Sequence, residues 1–376
     1  MTKYKGSDLV VKTLIEAGVG SFFVFTGGAI SHVIDSVAKI SIEKPAYYCF
    51  QNEQAAAFAA EAYSRTNPEG KLGATLTTSG PGASNLISGI AGAWYDCVPT
   101  VFVTGQVRTH EMGIEKGRLQ GGFQELDIVT MVKSVTKYAK TLCDLQTLRE
   151  EILEAVSCAV SGRPGPVLID LPMDLQYGTV SVDDLVEKVS GESDGRPVPS
   201  WKIGEGASEA LSQLKDLVSK SKRPLIVVGG GVRHAGVVPA LNQLVLRTGV
   251  PFVTTYAAID VVESKMENYL GPLGQFGDPH ANGPTGHADL VVALGTRFAQ
   301  KQLGNSPQQF APEAVLAAVN VDVDELRASP RLIDLPIHLS LGDFFDEWEP
   351  QFDSMEKNWW RAFQPEEEPD LSSIQQ

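Results

Sequence analysis

At 376 residues the chain is long enough for two domains that each bury a full core. Apolar content of 43% with 20% charged residues fits a soluble globular protein, and no apolar run reaches the length of a membrane span. A net charge of −15 argues against nucleic acid or an anionic membrane surface as partner, because both need clustered Lys and Arg.

Taken in order, Leu9, Val10, Leu14 and Ile15 recur at helical spacing and stop at Gly18 and Gly20. Residues 21–25 read as a short buried strand entering Gly27 and Gly28, where backbone can turn tightly or lie against a ligand. His32 opens the next helix as a cap or surface residue. Residues 45–50 form a second strand leading to Glu53, and 72–78 a third, followed by a glycine turn and a helix through Tyr95. Further strands are expected at 100–104 and 167–171. Strands alternating with helices at this spacing imply crossover connections and a parallel sheet with helices on both faces.

Beyond Gln176 periodicity is lost through a polar stretch rich in Gly and Pro, and a second α/β unit follows. It has a helix at 207–219, a strand from Pro224 into Gly229-Gly-Gly231, and strands at 251–255, 288–295 and 314–322. The fold class expected is α/β, with two doubly wound parallel-sheet domains. The divisions are a first domain at 1–180, a linker at 181–200, a central domain at 201–345 and an acidic tail at 346–376. Cys49, Cys97, Cys143 and Cys158 lack Cys-x-x-Cys spacing, so neither a zinc site nor a disulfide framework is expected. The N-terminus lacks the apolar core of a signal peptide, and a cytoplasmic location follows as the expectation.

Glu53 stands between the apolar strand and an alanine-rich helix start. Burying a carboxylate there without a partner costs several kcal/mol, so it calls for a hydrogen-bonding partner or ligand. The bland alternative is a helix N-terminal acid favoured by the macrodipole by roughly 0.3–1 kcal/mol. Tyr48, Phe50 and Ala55 to Ala57 give it apolar surroundings. Gly27 and Gly28, Glu53, the Ser79 to Gly82 turn, and Gly105 with Gln106 all follow strand ends, so a parallel sheet would gather them at one rim, where such sheets bind ligands.

Phe25-Thr-Gly-Gly-Ala-Ile30, the Glu53 stretch, Thr77-Thr-Ser-Gly-Pro-Gly-Ala-Ser-Asn85, Gly105-Gln-Val107 and Ser161-Gly-Arg-Pro-Gly-Pro-Val-Leu-Ile-Asp-Leu-Pro172 occur in that order. The ordered set resembles the pyrimidine-binding domain of thiamine diphosphate enzymes, closest to the acetolactate (acetohydroxyacid) synthase group, and the resemblance covers nearly the whole chain. It implies that Glu53 bonds to a ring nitrogen of the cofactor's aminopyrimidine and favours the imino form that takes the thiazolium proton. A 2-oxo acid such as pyruvate would then lose carbon dioxide, and a two-carbon carbanion would pass to a carbonyl acceptor. Gly27, Gly28 and Ala29 would approach the pyrimidine, Gly82, Asn85 and Gln124 would line the rim, and Phe123 and Gln106 would lie on the substrate side.

The second unit resembles the family's central domain, which holds a flavin dinucleotide in some members and another nucleotide or nothing in others. Gly230, Arg297 and Asp322 are its candidate nucleotide contacts. Ala299 and Gln300 stand where the family usually has aspartates, which leaves FAD open. A dehydrogenase-type dinucleotide fold is disfavoured, because His234 stands where the third fingerprint glycine belongs. A serine hydrolase is disfavoured because Ser79 and Ser84 lack the Gly-x-Ser-x-Gly elbow.

The family's magnesium and diphosphate motif begins Gly-Asp-Gly, and the near match here is Gly342-Asp343-Phe344, with no paired asparagines downstream. A diphosphate needs a cation, so Mg²⁺ ligands are expected on a separate subunit that completes the site. Self-association through the segment 82–94 of a second copy is expected as well. The alternatives are a truncated single-chain synthase and a non-catalytic scaffold or regulatory homologue. Arg108, and the stretch 118–122 before Phe123, depart from the family pattern, so substrate choice is left open.

Overall fold

The computed structural model describes residues 3–40, 46–67, 69–181 and 206–363. The chain divides into two compact units, Met1–Ser200 and Trp201–Gln376.

In the first unit the strands are β1 (Lys3–Lys5), β2 (Val19–Val24), β3 (Ala46–Cys49), β4 (Leu72–Thr77), β5 (Val101–Gln106), β6 (Tyr138–Thr141), β7 (Val167–Pro172) and β8 (Thr179–Ser181). Six of them form a parallel sheet in the order β3-β2-β4-β5-β7-β6, and β1 pairs with β8 as a separate antiparallel ribbon. The inner strands β4, β5 and β7 are buried along their whole length, as parallel strands covered on both faces must be. Sequence periodicity missed β6 because Tyr-Ala-Lys-Thr is short and carries no β-branched run.

Helices α1 (Gly6–Glu16) and α2 (Ser31–Ile40) pack through Leu9, Val10, Leu14, Val33 and Val37 on the sheet face made by Phe22, Ala74, Leu76, Val101 and Ile169. Helices α3 (Glu53–Thr66), α4 (Pro81–Ser84) and α5 (Ile87–Tyr95) lie on the other face, with Ala57, Ala83 and Ile90 against Phe102 and Leu168. The chain after β2 therefore leaves to one face and the chain after β4 to the other. The gap between these neighbouring strands is the topological switch point, where open parallel sheets bind ligands beyond their carboxyl ends.

The second unit holds β9 (Pro224–Val228), β10 (Phe252–Thr254), β11 (Tyr269–Pro272), β12 (Leu290–Leu294), β13 (Val315–Asn320) and β14 (Leu335–His338). They form a parallel sheet in the order β11-β10-β9-β12-β13-β14. Alternate residues feed two cores: Ile226, Val228, Val292 and Val319 one, and Leu225, Val227, Val291 and Ala318 the other. Its switch point lies between β9 and β12.

The linker at 181–200 falls, after Ser181, outside the described residues, as does the acidic run 366–370. The tail read from residue 346 is a packed segment as far as Phe363. Trp348, Phe352, Trp359 and Trp360 are buried in the two cores of the central unit. The acids of this stretch suggest a solvated tail, whereas its spaced aromatics decide its burial.

Candidate active site

Glu53 is the first residue of α3. Asn52 caps the helix, its side chain accepting from the Ala55 amide at 3.0 Å. That cap fixes the helix start, and with it the direction of the next side chain. The Glu53 residue is 8% exposed, and Asn85 Nδ2 donates to its Oε2 at 3.0 Å. Oε1 takes none of the described hydrogen bonds. Asn85 is the residue at which α4 ends, so the β4–α4 turn sets the acid's partner.

Three loops converge on this pair. A side chain on Gly82 would meet Thr78 Cγ2 at 2.7 Å, Thr77 Oγ1 at 2.9 Å and Glu53 Oε1 at 3.4 Å. Glycine is thus what leaves room beside the carboxylate. Gly27, in extended conformation, lies against Thr78, and the Ala29 amide donates to Thr78 Oγ1 at 3.2 Å, which joins the loops after β2 and β4. A Cβ on Gly28 would meet nothing within 4 Å, so that position is open. Gly80 adopts φ +59° with Gln124 pressed against it, and Gln124 itself has φ +62°. A non-glycine residue held there is a local strain that the surrounding structure must maintain. Phe123, beside it, is 86% exposed.

Gln106, expected on the substrate side, is buried and its amide is engaged inside the domain. Nε2 donates to the Leu126 carbonyl at 2.8 Å and to Asp170 Oδ2 at 3.0 Å, while Oε1 accepts from the Val107 amide. It ties the loop that carries Phe123 and Gln124 to the end of the sheet.

Two acids that the sequence reading did not single out hold this loop. Glu125 accepts from the amides of Gly113, Ile114 and Gly121. Burial pushes its carboxyl up, but the backbone donors outweigh that and hold it below its ordinary value. Asp170, fully buried, accepts from Thr104 Oγ1 at 2.7 Å, from Gln106 and from Thr141 Oγ1. Burial, with the nearby charge of Asp127, pushes it up to about 7 against those three donors. An acid inside the apolar run Val-Leu-Ile-Asp-Leu-Pro is the sequence signal that would have found it, by the same logic that found Glu53.

The raised Asp170 sets a pH dependence. Its folded value of about 7 exceeds the ordinary 3.8, so the native state holds a proton that the unfolded chain gives up between those values. Stability contributed there is full below about pH 4 and falls by up to about 1.4 kcal/mol per pH unit as pH rises toward 7. Urea unfolding at pH 5, 6, 7 and 8 should show this fall in the wild type and a flatter profile in D170N. Equal slopes would refute the assignment.

In the central unit the switch-point turns interlock. Gly231 donates to the Gly295 carbonyl at 3.0 Å, and a side chain on Gly229 would strike that same carbonyl at 2.2 Å. Gly230 and exposed Arg297 follow β9 and β12 at this rim. Asp322, after β13, caps the next helical turn, accepting from the Asp324 and Glu325 amides. Among the described residues no three or more His, Cys, Asp or Glu side chains are grouped to hold a metal ion, and no helix is long and apolar enough to cross a membrane.

Comparison with known proteins identifies the two units. The family model for the N-terminal TPP binding domain of thiamine pyrophosphate enzymes matches residues 4–131, and that for their central domain matches residues 211–347. Acetolactate synthase 1, chloroplastic, of Zea mays is 36% identical over 323 residues, which is 86% of this chain and 48% of the relative. The acetolactate synthase isozyme 2 large subunit of Escherichia coli (strain K12) is 34% identical over 321 residues, 85% of this chain and 54% of the relative. The chain spans about half the length of the curated relatives it matches.

Proposed function

The chain carries the N-terminal cofactor-binding and central domains of the thiamine pyrophosphate enzymes, and from that premise we propose that it supplies the pyrimidine half of an acetolactate synthase-like active site. The observation that carries the reading is Glu53, buried at a helix start, with one oxygen held by Asn85 and the other beside the side-chain-free notch of Gly82. A flat ring with a basic nitrogen fits such a place, because a carboxylate there can exchange a proton with it while water is excluded.

Thiamine diphosphate, when bound, supplies the carbanion that adds to a 2-oxo acid carbonyl and accepts the electron pair released with carbon dioxide. The chain's own residues orient and protect. Glu53 holds or takes the proton at the ring nitrogen. Gly27, Gly28 and Ala29 bring backbone to the ring, and Gln124 closes the rim under the restraint of Gly80, Glu125 and Gln106. Phe123 offers an apolar surface for a substrate methyl group.

We assign the diphosphate and its Mg²⁺ to a separate partner chain, and pyruvate as the 2-oxo acid. Self-association would use the outer face of α3 and α5, where Phe58 and Tyr95 are exposed. At the central rim, Gly230 and Arg297 are the contacts for a nucleotide such as FAD, while Asp322 is engaged as a cap.

The test is decarboxylation of pyruvate with thiamine diphosphate and magnesium, by the chain alone and mixed with the product of the adjacent reading frame. Activity in the mixture alone is expected. Full activity of the isolated chain would overturn the partner assignment, and cofactor binding by neither sample would overturn the reading of the site.

A further inference from the structure

Thr77 ends β4 and has no part in the assignments above. It is fully buried, and among the described residues its Oγ1 has no hydrogen-bond partner. Alternation along the strand sets Thr75 and Thr77 on the sheet face that α3 covers. Thr75 Oγ1 reaches the Ala56 carbonyl at 3.4 Å, and Thr77 is one rung closer to the rim, toward the start of α3. The Gly82 notch fixes its neighbour there. A single point, the Cβ position of Gly82, lies 2.9 Å from Thr77 Oγ1 and 3.4 Å from Glu53 Oε1. A hydroxyl donor without an acceptor and a carboxylate oxygen without a donor thus flank the same glycine.

A buried hydroxyl that makes no bond is destabilising, and native proteins keep few of them without a use. We propose that Thr77 is a positioning residue for Glu53: its hydroxyl donates to Oε1 once the pyrimidine ring is seated, so that Asn85 and Thr77 each hold one carboxylate oxygen. Two donors on two oxygens fix the plane of the carboxylate, which a single donor leaves free to turn. The inference rests on the reading of Glu53 as the residue that meets the ring.

The test compares T77V, T77S and E53Q with the wild-type chain, mixed with its partner chain. Thiamine diphosphate with magnesium is titrated in by calorimetry, and thermal melting of each chain is recorded without cofactor. T77V keeps the shape and removes the donor. It should weaken cofactor binding by about tenfold, the size expected for a lost hydrogen bond to a charged group, and T77S should recover most of that loss. The same T77V chain should melt at the wild-type temperature or above, because an unpaired buried hydroxyl has gone. A residue that only supports the fold would move melting and affinity down together. If E53Q both binds the cofactor and turns over pyruvate like the wild type, the reading of Glu53 fails and takes this inference with it. If E53Q weakens binding while T77V does not, or if T77V melts several degrees lower, the Thr77 assignment alone fails.

Discussion

On the proposed reading, replacing Glu53 by Gln should lower pyruvate decarboxylation, assayed with the proposed partner chain, by about 10²- to 10⁴-fold, with most of the loss in kcat, which is the range that positioned acid–base groups contribute. Gln keeps the length and shape of the side chain and one oxygen for Asn85 Nδ2, which donates to Glu53 Oε2 at 3.0 Å. What it cannot do is exchange a proton with a ring nitrogen. The fold should tolerate the change, since the residue caps no other element: the α3 cap is Asn52. The melting temperature should therefore stay close to the wild type while turnover collapses. E53D tests placement instead of chemistry. It keeps the acid but withdraws it by one methylene from the Gly82 notch, and activity between that of E53Q and wild type is expected. Steady-state kinetics over a range of pyruvate concentrations separates the two effects, and an E53Q enzyme within about threefold of wild type would remove Glu53 from the chemistry.

The rim was legible in the sequence for a physical reason. In a parallel sheet every strand ends on the same edge, so residues that follow strand ends must meet wherever the helices allow. Gly27, Glu53 and Gly82 needed only the strand assignments to be placed together, whereas Gly105 and Gln106, expected just beyond a strand end, are the last two residues of β5. The supporting contacts were not legible, because they join residues far apart in the chain with no repeating pattern. Gln106 and Asp170 lie on neighbouring strands, and their bond depends on register: Gln106 faces Pro172, and Thr104 faces Asp170, in the pairing of β5 with β7. A one-residue slip would have turned Gln106 away from Asp170. Short strands such as β6 and β14, of four residues each, carry too little periodicity to stand out from a loop. The aromatic segment at 348–360 hides in the sequence for the converse reason, since its neighbouring acids are many and its four buried rings are widely spaced.

Substitution of Gly105 gives a large expected change in stability, and the cause is lack of space, not a backbone conformation reserved for glycine. Gly105 is the penultimate residue of β5 and has no left-handed φ, so the only obstacle to alanine is space. A Cβ there would lie 2.1 Å from the Ala29 carbonyl oxygen, 2.4 Å from its carbon and 2.9 Å from the Ile30 amide. All three are backbone atoms, so no rotamer change can relieve the clash. Nor can Ala29 simply withdraw, since Gln176 Nε2 donates to the same carbonyl at 2.6 Å and to the Leu171 carbonyl at 2.9 Å, pinning the turn to β7. G105A must then either bend β5 or push the turn after β2 off the sheet edge. Overpacking of this kind costs about 3 kcal/mol, at the upper end of the usual range because backbone meets backbone. For a unit of this size that corresponds to a melting temperature lower by about 6–12 °C. The displaced turn carries Gly27, Gly28 and Ala29, which we assign to the pyrimidine, so on that assignment cofactor affinity should fall too, measured at a temperature where circular dichroism shows the variant folded. A G105A chain melting within about 2 °C of wild type would mean that the turn yields at little cost. In that case the close approach of β5 to Ala29 would not be what holds the first loop of the site in place.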